Sequence, residues 1–82
     1  MENVVINEPV DIEAVFSRDR IRPKWFIWNS RKYQIKEITY TWRDKKGQAK
    51  IIHFSVTDGA TLFELSLNQN SLSWCLEQVS VE

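Results

Sequence analysis

The sequence predicts an all-β domain: a six-stranded antiparallel meander forming either a strongly curved sheet or a small, partly open barrel. Three observations carry this. No stretch keeps apolar residues at i, i+3, i+4 and i+7 over three turns, so helix signals are nearly absent. Apolar–polar alternation of period two recurs along the chain. Short turn clusters (Asn29-Ser30, Asp58-Gly59, "NQNS") separate the alternating runs, and short links favour neighbouring antiparallel strands.

Residues 1–8 are expected to be a mobile N-terminal segment, with residues 9–82 as the single domain. In the first strand Val10, Ile12, Ala14 and Phe16 alternate with Asp11 and Glu13. Arg18, Arg20, Arg22 and Lys24 then share one parity, with Ile21, Pro23, Trp25 and Ile27 on the other. Pro23 has no N–H for a ladder, so the second strand starts near it or runs along an edge. After the Asn29-Ser30 turn a long third strand is predicted from Lys32 to Arg43. Its apolar parity begins with Tyr33 and Ile35 and switches to Ile38, Tyr40 and Trp42, which places a β-bulge near Lys36–Glu37. A loop follows over Asp44 to Ala49. Ile52, Phe54 and Val56 face the core from the fourth strand. Asp58-Gly59 signals a hairpin, because glycine readily takes a positive φ. Phe63, Leu65 and Leu67 then face inward from the fifth strand, and Leu72, Trp74 and Leu76 from the sixth.

Eighty-two residues suffice for one core and no second. Four Trp, four Phe and two Tyr supply that core generously, since each ring can bury about 150–250 Å². Cys75 is the single cysteine, so no disulfide staples the chain. One thiol and no Asn-x-Ser/Thr site suit a reducing compartment. The amino-terminal apolar run, Val4 to Ile6, is too short for a signal peptide or a membrane span, and the expectation is a cytoplasmic protein with no membrane contact.

The net charge of zero conceals a segregation. Residues 18–50 hold all eleven bases against three acids (Asp19, Glu37, Asp44), a net +8. Residues 1–17 and 51–82 each hold four acids and no lysine or arginine. Such asymmetry marks an anion-binding face, or else acidic strands that neutralise basic ones across a sheet.

The residues offer little for catalysis. His53 is the only histidine, and a triad or dyad needs a base beside its nucleophile. By parity His53 and Cys75 both point away from the core, onto a face they could share. One His and one Cys fall short of a zinc site, and two glycines cannot build a phosphate-cradling loop. Asp11 and Glu13 belong to the alternating polar set of a strand rather than to a glycosidase pair. No catalytic residue, metal ligand or cofactor is predicted, and the protein reads as a non-catalytic binding module.

What it binds turns on Arg20, Arg22, Lys24, Trp25, Trp28, Arg31, Lys32 and Lys36. Single-strand binders join a positive groove to aromatic platforms for bases, and these eight residues supply both types. Both parities of "WFIW" are apolar, so Trp25/Ile27 and Phe26/Trp28 cannot face one core together; one pair must cover a second layer, an edge or a partner. The partners expected are single-stranded nucleic acid or a protein that processes it. The alternative is a homodimer or other protein–protein contact through exposed aromatics, which are enriched at interfaces together with Arg.

The run Arg22-Pro23…Phe26-x-Trp28…Arg31-x-Tyr33-x-Ile35-x-x-Ile38-x-x-x-Trp42, followed by His53-Phe54-x-Val56, Asp58-Gly59, Phe63-Glu64-Leu65 and Trp74-x-Leu76, resembles a small all-β bacterial domain of unknown function. Similar domains stand alone or extend the C-terminus of some bacterial translesion-type mutagenesis polymerases. The resemblance covers roughly residues 9–79. It departs at Asn29-Ser30, where that pattern often has Gly. It implies an all-β fold and a nucleic-acid-processing context, and carries over no site residue.

Overall fold

The computed structural model describes residues 2–81; Met1 and Glu82 lie outside them. The chain is all-β and antiparallel, but with eight strands in two sheets instead of six in one. The strands are β1 (Glu2–Pro9), β2 (Asp11–Phe16), β3 (Ile21–Trp28), β4 (Arg31–Gln34), β5 (Glu37–Lys46), β6 (Ala49–Thr57), β7 (Leu62–Asn68) and β8 (Ser73–Val81). One sheet has the order β1-β8-β7-β6-β5 and the other β2-β3-β4. The meander expectation holds in that sequence neighbours lie side by side within each sheet, while β1 returns beside β8. Among the described residues no closed barrel is found. Among the described residues no helix is long and apolar enough to cross a membrane.

Two corrections follow from the sheet topology. The N-terminal segment is β1, hydrogen-bonded along β8 from Glu2↔Val81 to Pro9↔Cys75, because the outer edge of β8 offers a row of ladder groups for it to pair with. The long third strand is two strands. Ile35 N–H donates to the Lys24 carbonyl of the small sheet at 2.9 Å, and the next amide, Lys36 N–H, donates to Thr57 of the large one at 2.8 Å. The chain thus changes sheets between adjacent residues where a bulge was predicted. The bulge itself lies further on, between Ile38 and Tyr40, where Thr39 Oγ1 donates to the Ser55 carbonyl at 3.0 Å.

That displaced bulge reassigns a face. Ile38 packs against the core, whereas Tyr40 (66% exposed) and Trp42 lie on the outer side of the large sheet. Leu72 is also corrected: it sits at φ 60° in the β7–β8 turn and is exposed. The turns otherwise follow their chemistry. Asn29 and Ser30 both have positive φ, as a two-residue type I′ hairpin needs, and the loop predicted over Asp44 to Ala49 narrows to Gly47-Gln48 with Gly47 at φ 62°.

Pro23 lies inside β3 and is fully buried. The pairing of β2 with β3 skips Lys24, so a bulge adjoins the proline and relieves the ladder of the N–H that Pro23 lacks.

The core lies between the sheets. Ile52, Phe54, Val56, Phe63, Leu65, Leu67, Leu76 and Val79 line the large sheet's inner face, and from the small sheet Phe26 of β3 joins this cluster, fully buried like Pro23. Phe26 stacks on Tyr33 (5.2 Å between centroids) and meets Phe63 edge-on (5.1 Å, 78°), while Tyr33 also meets Phe63 edge-on at 5.3 Å. Such ring pairs contribute about 0.5–1.5 kcal/mol each beyond burial.

Asp58 closes the β6–β7 loop by accepting from Ala60 N–H (2.9 Å) and Thr61 N–H (2.8 Å). Partial burial pulls its carboxyl upward, but these bonds and the Lys36 ammonium outweigh that, and its pKa is lowered. A lowered folded pKa gives stability that is present above the ordinary carboxylate value and lost as pH falls through the folded value. Chemical denaturation should therefore show Asp58→Ala less stable by about 1–2 kcal/mol at neutral pH, the gap closing in acid below the ordinary carboxylate range. Phe26→Ala should cost about 3–5 kcal/mol in the same assay, because it removes the buried ring between the sheets.

Candidate functional site

The small sheet does not cover the large one completely, and the reason is local. Strand β4 has only four residues and pairs with Trp25–Trp28, so no strand flanks Ile21–Pro23 on that side. There a cleft of about 630 Å³ opens between the β2–β3 hairpin and the inner faces of β5 and β6. Phe16, Ile21, Ile38, Ile52 and Phe54 provide its apolar lining. Arg18, Arg20, Arg22 and Arg43 also line it, against one acid, Asp19. Among the described residues none of these arginines has a carboxylate within salt-bridge distance; the ion-pair contacts found there involve His53. Phe16, one of the alternating apolar residues of β2, is 59% exposed at the cleft. Like charges held without partners over an apolar floor raise the local potential for anions.

Of the eight residues singled out from the sequence, Arg20 and Arg22 line this cleft, and the others scatter. Trp25 and Lys32 share the outer face of the small sheet, with Lys32 Nζ 4.4 Å from the Trp25 ring centroid. Trp28 faces inward with Phe26, packs against the core and tilts against Tyr33 at 6.0 Å. Its indole Nε1 is buried with no acceptor among the described residues. Arg31 lies over the Tyr33 ring at 5.5 Å. Lys36 lies against the β6–β7 loop, its Nζ 3.1 Å from where a Cβ on Gly59 would sit. Lys24 is exposed at the β3 bulge. The structure does not join these eight into one surface.

Sequence reasoning left Arg18 and Arg43 out of the candidate set, Arg43 being read as the end of a strand. The signal available was the shared parity of Arg18, Arg20 and Arg22; Arg43 comes from another sheet, and only the fold brings it near.

The outer face of the large sheet carries the remaining reactive side chains. Register places Trp42, His53, Ser66, Cys75 and Pro9 in one row across five strands. His53 and Cys75 do share a face, but Ser66 stands between them, two strand spacings of about 4.8 Å apart in the backbone. The His53 ring is stacked on Trp42 (5.0 Å, 5°), and Trp42 on Tyr40. His53 Nδ1 lies 3.3 Å from Glu64 Oε2, close enough for an ion pair when the ring is protonated, yet misaligned for a hydrogen bond. Ser66 Oγ donates to Glu77 Oε2 at 2.6 Å. Burial, and then the Glu77 carboxylate, push the Cys75 thiol above its ordinary range. That is the opposite of what an activated cysteine needs. No group of three or more His, Cys, Asp or Glu able to hold a metal occurs among the described residues.

Comparison of the chain with protein-family models, with curated proteins and with solved structures finds no match.

Because the folded thiol is held protonated, iodoacetamide at mildly alkaline pH should alkylate Cys75 several-fold more slowly in the native protein than in the unfolded chain. Glu77→Gln should speed the native reaction by removing a negative charge beside the sulfur.

Proposed function

We propose that this protein is a non-catalytic binding module that takes single-stranded nucleic acid in the cleft between its sheets. The observation that carries this reading is the combination in one open groove of four arginines without carboxylate partners and an exposed phenylalanine. A single strand presents alternating demands, charge along its backbone and flat apolar bases. Arg18, Arg20, Arg22 and Arg43 answer the first, and Phe16 with its aliphatic neighbours answers the second. The volume suits one or two nucleotides, a short footprint consistent with so small a domain. A duplex suits the cleft less well, because its bases are already stacked on one another. Phosphate contacts dominate such affinities and make them depend on salt.

The test is fluorescence anisotropy of a labelled single-stranded oligonucleotide titrated with protein over a range of salt concentrations. Affinity should fall steeply with salt. Arg20→Ala combined with Arg43→Ala should weaken binding and flatten the slope of log K against log salt by about 1–2, as phosphate contacts are lost. Phe16→Ala should weaken binding about 5- to 100-fold and leave that slope unchanged, because stacking is worth about 1–3 kcal/mol and releases no counterions. No binding at low salt, or a salt slope indifferent to the arginine pair, would refute the reading.

A further inference from the structure

The outer face of the small sheet poses a separate problem. β2–β3–β4 is only three strands wide, and one of its faces closes the core. Its other face carries two full lateral rows fixed by the strand register, Asp11–Ile27–Lys32 and Glu13–Trp25–Gln34, with the pair Val15–Arg22 beyond the end of β4. Phe26, between Trp25 and Ile27, is fully buried, so its two neighbours project outward. Ile27 is 40% exposed, and the Trp25 ring is covered from above by the flexible Lys32 side chain. In the two full rows acids thus stand on β2, apolar residues on β3, and a base and an amide on β4. The face is charged with opposite signs on its two sides.

We propose that this face binds a second copy of the same chain, related by a two-fold axis running along β3. Such an axis lays β2 of each copy over β4 of the other. Asp11 then meets the second copy's Lys32, Glu13 meets its Gln34, and Ile27 and Trp25 meet their own counterparts across the axis. Each row is its own complement under this rotation. A two-fold axis running across the strands instead sets acids over acids, which costs free energy. An uncharged apolar partner would strip water from Asp11, Glu13 and Lys32 without pairing them. A second copy satisfies all six positions, and an isologous contact closes at two. Two rows across three strands make a small contact, so the dimer forms at high micromolar concentration. The axis also directs both β2–β3 hairpin tips to the same end of the dimer. The two arginine-lined clefts then open side by side, a consequence that rests on the reading of the cleft given above.

Sedimentation equilibrium at high micromolar concentration and low salt tests the pairing without any oligonucleotide, so its failure is separate from failure of the cleft. The wild type should sediment as a dimer. Asp11→Lys alone and Lys32→Glu alone should each raise the dimer dissociation constant at least about tenfold, since symmetry repeats every lost pair twice. An equimolar mixture of the two variants should recover the dimer mass, because each supplies the charge the other lacks. Recovery also shows that both variants are folded. A monomeric wild type, dimers that survive both single substitutions, or a mixture that stays monomeric would each overturn the proposal.

Discussion

The contact of Phe26 with Phe63 is the interaction on which the molecule depends. A three-stranded sheet as small as this one has no stable existence in water unless one face is buried, and here Phe26 is the fully enclosed aromatic ring of that face. Phe26 projects from the centre of the small sheet into the edge of Phe63, and Tyr33 closes the third side of the triangle. Ile12, Ile21 and Trp28 add partial cover around it. Because Phe26 must point inward, Trp25 and Ile27 must point outward. The geometry of the core therefore dictates what the outer face displays.

The cleft is a by-product of the same arrangement. The chain leaves the small sheet at Ile35 and joins the large one at Lys36, which limits β4 to four residues. A longer β4 would have paired with Ile21–Pro23 and sealed the seam. The opening instead exposes Phe16 and part of the inner face of β5 and β6, and the hairpin above it carries three of the four arginines. Clefts between imperfectly matched layers are common places for ligands, since an apolar floor and polar walls come together there without extra structure.

Charge segregation along the chain persists in space. Acidic strands could have neutralised the basic segment by cross-strand pairing, but the register sets Asp11 opposite Ile27 and Glu13 opposite Trp25, not opposite arginines. Among the described residues the close ion-pair contacts are those of His53 with Asp44 and Glu64. The arginines of the hairpin and β5 thus keep their charge available. The acids Asp44, Glu64 and Glu77 gather on the outer face of the large sheet, away from the cleft.

Local chemistry settled much of this protein before any fold was known. Alternation of period two defined the inward faces of β6 and β7, Asn29-Ser30 the first hairpin, and Asp58-Gly59 the loop between β6 and β7, because each depends on residues adjacent in the chain. Parity alone also put His53 and Cys75 on the side away from the core. Tertiary structure decided the rest. The Tyr40 and Trp42 rings read as core until the bulge at Thr39 turned them outward, and the run from Tyr33 to Trp42 looked like one strand until two successive amides bonded different sheets. The eight basic and aromatic candidates were close in sequence, yet alternation in β3 and the short β4 send them to different surfaces. Arg43 joins Arg20 and Arg22 only because the sheets face each other. A strand's pattern fixes which side a residue takes; which layer lies opposite that side is fixed by packing, and the cleft exists only between layers.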